Sequence, residues 1–355
     1  MKLLHSADWH LDAPLTGHSA ENAQALRRES LKIPEKVAKL CKAEHCDLLL
    51  LSGDLFDGPY SRQSLTAVRS ALESLEIPVF IAPGNHDFCG SNSPYLQEEW
   101  PQNVHIFKES RITSVSIPAL DCRIYGAGYE SMDCPGLLKD LLLEGHERWH
   151  IGLLHGEVAA SSHYCPMTKT QIGQSGLSYL ALGHIHKGGS IRVEDTLCAW
   201  PGCPMGHGFD ELGEKGVIVA ELDDGVKASF VPLDTIRFYD ETVEAGDDAA
   251  SALADLLPTF GSNDFYRVTF TGYSDPLDLT ALAAQFPQFP NLTLQNETQP
   301  MPDLWGCVGE DTLEGVFFGQ LQQLAASESD TIRRRAKLAA RISRQILDGQ
   351  EVKLP

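Results

Sequence analysis

Five short polar signatures punctuate the first half of the chain: Asp8-Trp9-His10, Gly53-Asp54, Gly84-Asn85-His86-Asp87, His155-Gly156 and Gly183-His184-Ile185-His186. Pooled, they supply two carboxylates, one amide and four or five imidazoles as ligands. That set is too large and too mixed for one tetrahedral structural zinc, which takes Cys and His. It suits two divalent cations held by nitrogen and oxygen donors, with a bridging carboxylate keeping them about 3.5–4 Å apart. Cations so placed polarise a phosphoryl group and make hydroxide available near neutral pH. The chemistry expected is hydrolysis of a phosphoester. Each signature alone occurs in many unrelated chains, and a lone His is more often a satisfied core or surface residue. The meaning lies in all five occurring in order.

These side chains need elements that aim them at one place. Each signature follows a short apolar run, at residues 3–4, 47–51, 78–81, 150–154 and 179–182, and these runs read as buried strands. Residues 23–43 and 63–75 carry helical spacing between them, with Pro34 expected to kink or break the first. Alternating strand and helix predicts a layered α/β fold, in which loops at the carboxyl ends of strands converge on one rim. In extended backbone, the i, i+2 spacing of Asp8 and His10 would point both to one side, and His184 and His186 repeat it. Further strands are expected at 111–117, 123–126 and 197–199, and at 216–222 and 227–233 around the Asp224-Gly225 turn. The predicted organisation is a core over 1–235, a small α+β cap over 236–300, and a linker with a helical tail over 301–355. Pro300, Pro302 and Gly306 mark the linker, and helices are expected at 312–324 and 331–347.

Composition agrees with a folded, reduced protein. The 355 residues are 43% hydrophobic and 22% charged, which excludes global disorder. No apolar run approaches the roughly 18–20 residues of a membrane span. Asp8 and His10 arrive before a signal-peptide core could form, so a cytoplasmic protein is expected. Nine cysteines without a CxxC pair argue against a disulfide framework or zinc ribbon. The net charge of -21 is uneven: residues 201–310 hold 19 acidic and 4 basic residues, for -15. Bulk acidity therefore argues for weak DNA binding by the chain alone, with a partner supplying phosphate contacts, rather than for no contact with nucleic acid. The tail is the exception, placing Arg333, Arg334, Arg335, Lys337, Arg341 and Arg344 on one predicted helix.

The ordered set DxH, GD, GNHD, HG, GHxH resembles the calcineurin-like metallophosphoesterase superfamily. The segments around Asp8 (SADWHLD), Asp54 (GDLFD), Asn85 (PGNHD) and His184 (ALGHIHK), with residues 209–216 (FDELGEKG), are similar to SbcD- and YhaO-type bacterial DNA repair nucleases. The resemblance implies that Asp8, His10 and His186 hold one metal, that Asn85, His155 and His184 hold the other, and that Asp54 bridges. His86 would contact the scissile phosphate and protonate the leaving oxygen, and Asp87 would orient His86. Manganese is the implied ion, with iron, zinc or magnesium as alternatives. The implied activity is a DNA exonuclease acting also as an endonuclease on single strands or hairpins. Its implied partners are DNA, an SbcC-type coiled-coil ATPase docked on the helical tail, and a second copy in a homodimer, with no membrane.

Two other readings compete. A metal-dead binding subunit is disfavoured because every expected ligand type is present. A phosphatase or small-molecule phosphodiesterase is the stronger rival. Against a Ser/Thr-phosphatase type, Asp57-Gly58-Pro59 lacks the Arg of a GDxxDRG clamp. The roughly 120 residues after the core also exceed what a small diesterase needs. Among neighbours of the ligands, Asp12 and Asp57 are candidate partners for them, His207 could line the site, and Tyr60, Phe88 and Phe209 are candidate base-stacking rings.

Overall fold

The computed structural model describes residues 1–246, 248–300 and 303–349. Asp247, Pro302 and the last six residues, on which parts of the cap, linker and tail expectations fall, lie outside them. The chain divides into two compact units: residues 1–240 with 263–266, and residues 241–262 with 267–355.

The first unit is a sandwich of two six-stranded sheets with helices outside. One sheet contains β1 (Lys2–Ser6), β2 (Leu48–Leu51), β3 (Val79–Ile81) and β4 (Val104–Ile106). The other contains β5 (Thr113–Ile117), β6 (Cys122–Gly126), β7 (Trp149–His155), β8 (Tyr179–Gly183), β9 (Gly189–Val193) and β10 (Thr196–Trp200). The hairpin β11 (Gly216–Leu222) and β12 (Val226–Pro232) returns to the first sheet. The strand orders are β12-β11-β1-β2-β3-β4 and β5-β6-β7-β8-β10-β9. β1 to β4 run parallel, as do β6 to β8, so all five signatures leave the carboxyl ends of parallel strands.

The run Leu48-Leu49-Leu50-Leu51 shows why this sequence makes this architecture. A strand sends alternate side chains to opposite faces, and only a strand covered on both faces can be apolar throughout. Leu48 and Leu50 join Leu3, Phe80, Ile151, Leu153 and Ala181 between the sheets. Leu49 and Leu51 face Leu26, Val37, Leu65 and Val68 of the outer helices. All four leucines are 0% exposed, and each such burial stabilises by about 1.5–3 kcal/mol. Pro34 does not kink one long helix. Helix Ala20–Ser30 ends, and Pro34 sits in the first turn of a second helix, Ile33–Ala43, where its missing N–H costs nothing.

The second unit carries helices Ala249–Leu256, Leu279–Ala283, Leu313–Ala325 and Asp330–Leu347. The expected linker is not a free connector. Leu304 is 6% exposed and packs with Phe318 and Ala340, with Trp305 against them, so this segment fills the core of the last two helices. Residues 241–262 and 267–355 cluster as one unit, while 236–240 and 263–266 of the expected cap cluster with the first. No helix among the described residues is long and apolar enough to cross a membrane.

Candidate metal centre

The strand ends set the site. Chain leaving β1 is laced to chain leaving β2: the Asp8 N–H donates to the Gly53 carbonyl at 3.0 Å, and that of His10 to the Asp54 carbonyl at 2.9 Å. Asp8 and His10 are not extended. Both have positive φ, 53° and 44°, as do Asp54 at 51° and His184 at 85°. Their convergence comes from this left-handed backbone, a conformation costing about 1–2 kcal/mol per non-glycine residue. Trp9, between them, is 0% exposed and donates its indole N–H to Ser6 Oγ at 2.8 Å. Gly53 and Gly84 are required at the crossing. A Cβ at Gly53, whose φ is +89°, would stand 2.6 Å from His155 Nδ1, and one at Gly84 would stand 2.3 Å from Asp54 Oδ1.

Among the described residues three sets of donor atoms converge at the strand ends, and a fourth, His186, Cys203 and Glu211, adjoins them. Asp8, His10 and His186 form one, and Asp8, Asp54 and His155 another. His10, Asp54 and His86 form a third. His10 Nε2 and His186 Nε2 face each other at 3.1 Å. His155 Nε2 lies 3.0 Å from Asn85 Oδ1 and 3.2 Å from Asp54 Oδ2. Each ring is anchored through its other nitrogen. His155 Nδ1 donates to the Ser52 carbonyl at 2.8 Å, and His186 Nδ1 donates to Glu211. A carbonyl can only accept, so Nδ1 of His155 carries the hydrogen and Nε2 has the lone pair a cation needs.

His184 is placed differently from the others. Its backbone N–H donates to Asp8 Oδ1 at 3.0 Å, its ring lies tilted at 4.5 Å from that of Tyr164, and among the described residues it joins none of the converging sets.

The charges fit divalent cations. Asp8 is 0% exposed, and its Oδ2 has no hydrogen-bond partner. Burial raises its pKa from the ordinary value. Burial disfavours charge on His155 too, but Asp54 and Asp8 beside it win and push the imidazole up to about 10. Burial likewise opposes ionisation of Asp54, yet His155 holds it below the usual carboxylate range. Protons on imidazoles are thus the counter-ions of these carboxylates, and cations bound there would displace them. Asp8, His10, His186, Asp54, Asn85 and His155 would hold the metals, with the expected ligand His184 set 5.4 Å from the His155 ring, and these would supply charge for a phosphoryl group and an activated water.

His86 stands apart from the donors that lack exposure. Its side chain is 44% exposed, and Nδ1 lies 2.6 Å from Asp57 Oδ1. Asp57 raises the pKa of this imidazole against the effect of burial, which leaves Nε2–H as a proton donor. Asp87 does not orient His86. Its buried carboxylate accepts from the N–H groups of Gly84 (2.8 Å), Asp54 (3.2 Å) and Leu55 (2.7 Å) and from Tyr95 Oη (2.6 Å). It ties the β2 and β3 loops together, because the loop carries its side chain inward while Asp57 reaches His86 from the neighbouring loop. Of the other candidates, Asp12 accepts from the N–H of Ser61, the N-cap of helix Arg62–Glu73, at 2.8 Å. His207 lies 6.1 Å from the His10 ring and shares Glu211 with His186. Glu211 itself was not singled out. Its only sequence signal is its place in the FDELGEKG stretch, 25 residues beyond His186.

A cavity of about 740 Å³ opens at His86, lined among others by Gly58, Pro59, Tyr60, Phe88 and Asn92. Tyr60 and Phe88 therefore reach the site, whereas Phe209 packs edge-on against Phe238 at 5.2 Å.

The chain is 32% identical over 244 residues to the uncharacterized metallophosphoesterase YhaO of Bacillus subtilis (strain 168), an alignment covering 63% of this chain and 58% of that protein. The chain thus spans less than two thirds of that relative. Among solved structures, it is similar to a dimetal phosphatase from Danio rerio (15% identity, 67% of this chain, 98% of that one, TM-score 0.43). It is also similar to an archaeal phosphodiesterase (15% identity, 65% and 100%, TM-score 0.34). The sequence profile of the calcineurin-like phosphoesterases matches residues 1–188, more than half the chain, and the protein belongs to that family.

Proposed function

We propose that the protein is a two-metal phosphodiesterase that cuts DNA, as an exonuclease on ends and an endonuclease on single strands or hairpins. The observation that carries this reading is the cavity at His86. None of its lining residues is Arg or Lys, and Tyr60 and Phe88 face it. A phosphomonoester is a dianion and calls for a further cation beside the metals, whereas the leaving side of a diester is a nucleoside, which a cavity with two aromatic rings and the carboxylates of Asp87 and Glu98 in place of Arg or Lys suits better. In this reading His86 protonates the departing oxygen, supported by the Asp57 carboxylate that holds its ring. Manganese is the proposed ion, consistent with the nitrogen and oxygen donors.

The proposal includes a coiled-coil ATPase of the SbcC type as partner. Supporting it, the last two helices leave Leu313, Phe317, Ile346 and Leu347 at 87, 43, 61 and 51% exposed, around a largely apolar pocket. A homodimer and a cytoplasmic setting complete the reading, the former checked by sedimentation.

The test is one manganese assay with labelled linear duplex, closed hairpin DNA, bis-p-nitrophenyl phosphate and p-nitrophenyl phosphate. Cleavage of DNA, with the diester preferred over the monoester, is expected. Turnover of the small diester with DNA untouched, even with the ATPase added, would favour a small-molecule phosphodiesterase. Preference for the monoester would overturn the diesterase reading altogether.

A further inference from the structure

A second cavity, of about 360 Å³, shares His186 with the metal centre. Lys187, Cys203, Lys215 and Phe230 are among its lining residues. Lys215, the residue before β11, is only 7% exposed. Among the described residues its ammonium makes no ion pair, and its polar neighbour is the Cys203 thiol. Glu214 at the same cavity is turned to Arg237, at 3.8 Å. A lysine so enclosed and without a counter-ion is a ready partner for an anion that enters this cavity.

The position of this ammonium relative to the metals is fixed by backbone. Cys203 donates its N–H to the His186 carbonyl at 3.2 Å, and its Sγ lies 3.6 Å from the same oxygen. Gly202 has φ +75°, and a Cβ there would stand 2.6 Å from the His186 carbonyl oxygen and 2.8 Å from the Gly188 nitrogen. The Cys203 loop is thus pressed onto the chain that carries the ligand His186. Phe230 lines the same cavity from edge strand β12 and leaves 43% of its surface exposed, an apolar ring with an open face. An ammonium and an open aromatic face in one cavity match the two parts of a nucleotide, phosphate and base.

We propose that this cavity is a nucleotide subsite for the strand on the other side of the scissile bond from His86. Lys215, with Lys187 at the mouth, holds the phosphate next to the one being cut, and Phe230 stacks on the base. The inference rests on the diesterase reading and adds to it a substrate of at least two linked phosphates.

The test compares Lys215→Met, which keeps the stem and removes the charge, and Phe230→Ala with the wild type. Substrates are a single-stranded oligonucleotide, the same strand with an abasic position, and bis-p-nitrophenyl phosphate, all with manganese. Thermal melts confirm that both variants fold. For Lys215→Met, kcat/KM on the oligonucleotide should fall about tenfold or more beyond any fall on the small diester, as expected for one charge-assisted contact. For Phe230→Ala, KM on the intact strand should rise about fivefold or more, and the rise should vanish on the abasic strand. Equal losses of Lys215→Met on both substrates, or no loss on either, would overturn the subsite. If the wild type cuts no DNA, inhibition of diester turnover by pyrophosphate and by phosphate decides separately. Weaker inhibition of Lys215→Met by pyrophosphate alone would keep the subsite while the nuclease reading fails, and equal weakening by both would remove it.

Discussion

His5 offers a stability experiment whose size follows from the structure. It lies on β1 at 0% exposure, with Nδ1 2.9 Å from Tyr179 Oη and Nε2 2.7 Å from Ser52 Oγ. It thereby joins the first sheet to β8 of the second. Burial lowers its pKa from 6.5 to about 3. The unfolded chain binds a proton at this ring below about pH 6.5, and the folded chain does not until about pH 3. Stability is thus independent of this group above pH 6.5 and is lost as pH falls toward 3. At pH 5.0 the unfolded ring sits about 1.5 pH units below its pKa, so the loss is about 2 kcal/mol at about 1.4 kcal/mol per unit. That figure needs only a folded pKa well under 5. The perturbation is His5→Gln, compared with wild type in metal-free buffer at pH 7.5 and 5.0 by urea unfolding followed through tryptophan fluorescence. The variant starts about 1–3 kcal/mol less stable, because one hydrogen bond between the sheets is lost. Between the two pH values the wild type should lose about 2 kcal/mol more than the variant. Parallel losses, or a His5 ring resonance titrating near pH 6, would refute the reasoning.

Other substitutions probe the site and the second unit. His86→Ala should abolish hydrolysis with both metals still bound by elemental analysis; metal loss in that variant would contradict the acid role. Asp57→Asn should lower kcat about 10–100-fold with metal content unchanged, since it removes the group that holds the His86 ring. Glu211→Gln should weaken metal binding about 10–100-fold in a calorimetric titration, because His186 loses the carboxylate anchoring its Nδ1. If the proposed coiled-coil ATPase docks on the last two helices, the pair Phe317→Glu and Ile346→Glu should stop co-purification with it and leave bis-p-nitrophenyl phosphate turnover intact.

How much of this was legible beforehand depended on whether local sequence carried the information. The strands ahead of the five signatures were readable because each signature follows an apolar run, and Leu48–Leu51, apolar throughout, announced a strand covered on both faces. Pro34 marked a helix boundary but could not say that a new helix begins there. Asp87 misled because it adjoins His86 in sequence, whereas the orienting carboxylate, Asp57, arrives from the neighbouring strand's loop. The left-handed backbone at Asp8 and His10 gave no signal, since neither is glycine. Glu211 was hidden for a similar reason: its partner lies 25 residues away and meets it only after β9 and β10 return the chain. Leu304 and Trp305 sat in a stretch that proline and glycine made look like a linker, and only packing reveals them as core.

The candidate metal ligands are divided between the two sheets, and this has a mechanical consequence. Asp8, His10, Asp54 and Asn85 leave β1, β2 and β3, while His155 ends β7 and His186 follows β8. The ions would therefore span the seam of the sandwich like rivets through two plates. Coordination tolerates errors of only about 0.2 Å. Sliding one plate against the other would strip the metals long before either plate unfolds. Residues wedged in the seam, such as Leu50, Phe80 and Leu153, then act as spacers for the centre although none of them touches it. Trimming a spacer should first appear as lost metal occupancy in a folded protein, which makes occupancy a sensitive gauge of how the two plates are aligned.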